Sequence, residues 1–99
     1  MVRIELAPEI LDDFDRILDH LERHGSADGQ ARIAEIVEAI QLLGRSPLIG
    51  RPNRSGNREL VIGRGSRGYV VLYRFVPNLD AVFVLALRSQ RQLGYKREK

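Results

Sequence analysis

A chain of 99 residues and 11.3 kDa builds one core, since two halves would each fall short of a workable interior; a single domain over residues 1–99 is expected, and a multi-step enzyme with a separate cofactor domain is excluded. With no cysteine, 43% hydrophobic and 29% charged residues, the composition rules out a disulfide framework, a thiolate nucleophile, a cysteine zinc site and disorder along the whole chain. The net charge of +3 conceals a division: residues 1–44 set four Arg against ten acids, a net of −6, and residues 45–99 set twelve bases against three acids, a net of +9.

Val2, Ile4 and Leu6 alternate with Arg3 and Glu5, the period of a half-buried strand, which Pro8 ends. Ile10, Phe14, Ile17 and Leu21, with Leu11 and Leu18 beside them, then recur at helical spacing, so a first helix is predicted over about Pro8–His24. Asp12, Asp13, Asp15, Arg16, Asp19 and Arg23 are assigned to its solvated side. Gly25 supplies a stop and Asp28 a cap; Ile33, Ile36, Val37, Ile40 and Leu43 mark a second helix ending at Gly44. So short a link predicts an antiparallel two-helix hairpin.

Arg45 to Asn57, with two prolines, two glycines and no periodicity, reads as a surface loop. Three runs rich in Val, Leu, Tyr and Phe follow: Arg58–Ile62, Tyr69–Val76 and Val82–Arg88. Their links are hairpin-length, predicting a three-stranded antiparallel meander. Tyr69, Val71, Tyr73 and Phe75 share one face of the middle run, and Val70, Leu72, Arg74 and Val76 the other, which marks this strand as central. The tail from Ser89 to Lys99 is basic. The expected class is α+β, with both helices on one sheet face and the opposite face partly covered.

Several patterns invite a chemistry that their context denies. Gly63, Gly65 and Gly68 spell G-x-G-x-x-G after a strand, but dinucleotide binding needs a helix to start there and Tyr-Val-Val-Leu-Tyr follows instead. His20 and His24 lie four apart with no third ligand in view, and the negative end of the helix dipole accounts for them, so no metal and no cofactor are expected. Both histidines occupy one helix, which leaves no Ser-His-Asp arrangement, and the aspartates of that helix have no neighbouring nucleophile. No apolar run approaches the roughly 18 to 20 residues that span a bilayer, and the start lacks a basic and apolar leader; a cytoplasmic location is expected.

What remains is arginine, fourteen of the sixteen basic residues. Its planar fork pairs bidentately with carboxylate or phosphate. Arg58, Arg64, Arg67, Arg74, Arg88 and Arg91 are therefore the candidate binding residues, on a face suited to an acidic protein segment or nucleic acid.

The strings Ser46-Pro47-Leu48-Ile49-Gly50-Arg51-Pro52, Arg58-Glu59-Leu60-Val61-Ile62-Gly63, Gly68-Tyr69-Val70-Val71-Leu72-Tyr73-Arg74 and Val82-Phe83-Val84-Leu85-Ala86-Leu87-Arg88, with Arg91 after them, resemble the RelE/ParE superfamily of type II toxins, on the ParE side. The likeness extends to the opening strand and the helix hairpin. It implies a small bacterial toxin held inactive by a cognate antitoxin whose C-terminal segment wraps it. RelE-like members are ribosome-dependent mRNA endonucleases; ParE-like members poison DNA gyrase and have no established catalytic set. The nuclease branch places an Arg after the Gly-Tyr of the middle strand, where this chain has Val70. Its basic pair would have to come from Arg54 and Arg58, and an Arg is a poor general base. Arg91 and Tyr95 are the candidates if the chain is a nuclease. The expectation is therefore gyrase poisoning with no catalytic residues, and mRNA cleavage is the alternative.

Overall fold

The computed structural model describes residues 1–23, 29–63 and 68–90. Strand β1 (Arg3–Leu6) leads into helix α1 (Glu9–Arg23) and helix α2 (Gly29–Leu42). Strands β2 (Arg51–Pro52), β3 (Arg58–Ile62), β4 (Tyr69–Val76) and β5 (Ala81–Ser89) complete one five-stranded sheet of order β1-β5-β4-β3-β2. The pairs β2–β3, β3–β4 and β4–β5 are antiparallel, while β1 runs parallel to β5, making the sheet mixed. The expected α+β class, the two helices and the meander all hold. β4 is the central strand, in keeping with its apolar character on both faces.

Ile10, Ile17 and Leu21 of α1 and Ile36 and Ile40 of α2 form one buried cluster with Leu43 and with Tyr69, Val71, Tyr73, Val82, Val84 and Leu87 of the sheet. Both helices thus lie on the face that carries Tyr69, Val71 and Tyr73. Apolar burial at roughly 25 cal/mol per Å² makes this cluster the main stabilising term.

In β5 the register moves from Leu72↔Ala86 to Tyr73↔Val84, leaving Leu85 without a partner. This bulge shifts the alternation by one residue. Val82 and Val84 face the helices before it; Leu87, fully buried, faces them after it.

Four expectations change. The stretch 45–57 contains β2, two residues that pair with β3 and are too short to show a period. α2 is regular only to Leu42, and its end tightens through bonds from Leu43 N to Ile40 O and Gly44 N to Gln41 O. Leu11 is 63% exposed and lies outside the apolar stripe. Asp13, assigned to the solvated side, is instead buried in phase with Ile10, Ile17 and Leu21. The link 24–28, with His24, lies outside the described residues.

The turn between β4 and β5 also fixes β1. Asp80 adopts a left-handed conformation, φ 52°, which a short polar side chain tolerates. Its N–H bonds Pro77 O, and its carbonyl accepts Arg3 N at 2.9 Å. Val2 N bonds Gly44 O at 2.8 Å, so the first strand is held by both the sheet and the end of α2.

Candidate functional site

β1 stops beside the middle of β5, its last bond running from Ala7 N to Val84 O. Past that point no strand among the described residues lies on that edge of β5, and a buried backbone N–H there needs a partner. Asp13 supplies it. One carboxylate oxygen, Oδ2, accepts Leu87 N at 2.9 Å; the other, Oδ1, accepts Nη1 of Arg88 at 2.8 Å and of Arg16 at 3.1 Å. Asp13 is 2% exposed, yet both guanidinium side chains reach solvent, so the carboxylate is buried but its counterions are not. Arg88 Nη1 also bonds Leu87 O at 3.0 Å. Arg88 is thus committed to holding α1 against β5.

A second interior side chain organises the segment between α2 and β3. The Tyr73 hydroxyl, deep in the core, donates to Pro47 O at 2.9 Å and accepts Gly50 N at 2.8 Å. Burial pushes this hydroxyl above its usual pKa, against the opposing influence of the Gly50 N–H and the Arg58 charge. It stays protonated and able to donate. Arg58 Nη1 reaches Gly50 O at 2.7 Å and Leu48 O at 3.3 Å. A side chain at Gly50 would put Cβ 2.7 Å from the Tyr73 ring and 2.9 Å from Glu59 O, so only glycine fits. Farther on, Asn53 Oδ1 accepts Ser55 N and Asn57 N, both at 3.0 Å, closing the β2–β3 turn.

Arg74 stands on the face away from the helices, exposed, with Leu72 and Val76 as strand neighbours and Phe83 directly across. It makes no ion pair or side-chain hydrogen bond with a described residue. Val70 of the same face is 3% exposed.

The structure therefore separates the arginines that the sequence presents together. Arg58 lies on the helix side opposite Tyr73; Arg88, opposite Val70, turns round the sheet edge to Asp13. Arg74 and Arg88 are four residues apart along β4, about 13 Å. Arg64, Arg67, Arg91 and Tyr95 lie outside the described residues. Of the three described candidates, Arg58 bonds loop carbonyls, Arg88 pairs with Asp13, and Arg74 makes no ion pair or side-chain hydrogen bond with a described residue. Arg45 and Arg51, which were not singled out, and Arg54, considered only for the nuclease branch's basic pair, are exposed and make no ion pair or side-chain hydrogen bond with a described residue. In sequence they flank Leu48 and Ile49, an aliphatic pair in a polar loop, and that composition is a signal by which sequence reasoning could have found them.

Gly63, φ 81°, follows β3, and the next element is strand β4, paired antiparallel with β3, where dinucleotide binding would need a helix. Among the described residues no group of three or more His, Asp or Glu side chains is placed to hold a metal ion. No helix among them is long and apolar enough to cross a membrane.

Comparison with known proteins accounts for this architecture. No curated protein matches the sequence. Among solved structures, the chromosomal ParDE system of P. aeruginosa is 22% identical with a TM-score of 0.72, covering 90% of this chain and 96% of that one. The toxin-antitoxin complex RelBE2 of Mycobacterium tuberculosis, also 22% identical, gives 0.64 over 89% and 96%. The isolated E. coli RelE toxin, 16% identical, gives 0.56 over the full length of both. Residues 4–94 match the family described as the ParE toxin of type II toxin-antitoxin system, parDE. With nearly its whole length inside that match and its fold shared with those structures, the chain belongs to the ParE toxin family of the RelE/ParE structural superfamily.

Proposed function

We propose that this chain arrests bacterial growth by binding DNA gyrase, with no bond-breaking chemistry of its own, and that a cognate antitoxin neutralises it. The observation that carries the reading is Val70: at the position after Gly68-Tyr69 the chain has a buried aliphatic side chain, which cannot stabilise phosphate charge. The surrounding polar groups support it. Tyr73, Arg58 and Asp13 could otherwise serve acid-base or phosphate chemistry, but each is occupied in holding backbone in place. An acidic antitoxin segment would find Arg74 among apolar neighbours on the sheet face away from the helices, a surface that rewards a chain folding as it binds. The family match and the solved toxin-antitoxin complexes of the same fold agree with such a partner.

The test is induction without antitoxin. The expected result is gyrase trapped on cleaved DNA, a DNA-damage response, and loss of supercoiling with purified gyrase. Cleaved ribosome-bound transcripts with unaffected gyrase would replace this reading with the endonuclease one, in which Arg91→Ala or Tyr95→Phe abolishes cutting.

A further inference from the structure

The loop from Pro47 to Arg54 joins two properties rarely found together. It exposes large aliphatic side chains, Leu48 at 60% and Ile49 at 49%. Its backbone is nonetheless fixed from within: the Tyr73 hydroxyl bridges Pro47 O and Gly50 N, Arg58 holds Leu48 O and Gly50 O, and Ile49 N bonds Ser46 O at 3.1 Å. The outer turn is closed by Asn53. Single exposed hydrophobics are ordinary, but an adjacent pair displayed on an immobilised loop presents apolar area already in its binding shape. Three exposed arginines flank it along the chain, Arg45, Arg51 and Arg54, and the acid nearest in register is Glu59, opposite Arg51.

Resting on the toxin reading above, we infer that this loop is the element that engages the poisoned target: a folded protein with an apolar pocket for Leu48 and Ile49 and a rim of carboxylates for Arg45, Arg51 and Arg54. A loop whose backbone is held from within and whose aliphatic side chains stand exposed suits a concavity that already exists, which a folded partner has and a segment that folds on contact does not. Phosphate backbone would satisfy the arginines but give the aliphatic pair nothing to bury against. Charge complementarity sets orientation and encounter rate; the apolar pair sets residence.

The experiment compares Leu48→Ser/Ile49→Ser and Arg45→Ala/Arg51→Ala/Arg54→Ala with wild type, each confirmed folded by its thermal midpoint. It reads growth arrest on induction and affinity of the purified protein for its antitoxin. The serine pair is expected to need about tenfold more expression, or greater, for the same arrest, with antitoxin affinity within about twofold of wild type. The arginine triple is expected to weaken arrest less. Undiminished arrest by the serine pair overturns the inference. So does a loss of antitoxin affinity equal to or larger than the loss of arrest, which would make the loop an antitoxin site. A serine pair that arrests normally beside an inactive arginine triple points to nucleic acid instead. The reading and the inference fail separately: wild type that arrests growth but leaves purified gyrase active removes gyrase as the target while the loop assignment stands. Wild type that never arrests growth removes both.

Discussion

Two places in this molecule solve the same problem with different groups. At the β5 edge a buried carboxylate, Asp13, takes a backbone N–H and draws two arginines to itself. In the loop before β3 a buried hydroxyl, Tyr73, takes a backbone N–H and gives its proton to a carbonyl. The carboxylate takes two arginines as its own partners; the hydroxyl takes none, and the arginine beside it, Arg58, is held by loop carbonyls. The contrast separates arginines that maintain the fold, such as Arg88, from arginines that can meet a partner, such as Arg51 and Arg54.

The sharpest way to break this contrast is Asp13→Ala, which strands the Leu87 N–H and removes the counterion of Arg88 and Arg16. Unfolding stability should fall by about 3 kcal/mol, because a buried donor is left unpaired, with the loss moderated by the solvated guanidiniums. Asp13→Asn, which keeps an acceptor, should lose about half as much; both are read from denaturant titration. Gly50→Ala forces a methyl group against the Tyr73 ring and a backbone carbonyl and should cost about 2 kcal/mol in the same measurement. Tyr73→Phe keeps the ring and removes both loop bonds, with an expected loss of about 1 kcal/mol.

That last variant also sharpens the comparison through pH. A phenol whose pKa is raised by folding binds its proton more tightly in the native state. Its stabilisation is complete below the unfolded value of about 10 and is lost as pH rises through the higher folded value. The stability gap between wild type and Tyr73→Phe should therefore narrow above about pH 10, as measured by denaturant titration at each pH. Arg74→Ala, which breaks no ion pair or side-chain hydrogen bond with a described residue, should shift stability by less than about 0.5 kcal/mol.

Local pattern carried much of the architecture. The bounds of β3 and β4 match their apolar runs residue for residue, and β5 extends the predicted run by one residue at each end. What local pattern cannot express is pairing between distant segments. Nothing near Arg3–Leu6 says that its neighbour is β5, nor that the pairing is parallel. The bulge at Leu85 is equally silent, although it determines that Leu87 faces inward and its N–H meets Asp13. Asp13 itself was legible in part: it shares the helical phase of Ile10, Ile17 and Leu21, and an acid on an apolar stripe signals a buried partner. Its charged neighbours Asp12 and Asp15 obscured it. Arg58 and Arg88 could not be told from Arg74 by residue type, because what distinguishes them is a carbonyl or carboxylate brought close by the fold.

The parallel contact between β1 and β5 has a bearing on when the sheet can close. Strand β1 has its hydrogen-bonding neighbour at residues 81–84, which are translated well after it. At roughly 5–20 residues per second, Arg3–Leu6 waits several seconds for that neighbour. The sheet therefore closes only after residues 81–84 have been made, an interval in which a binding partner already present can arrive first.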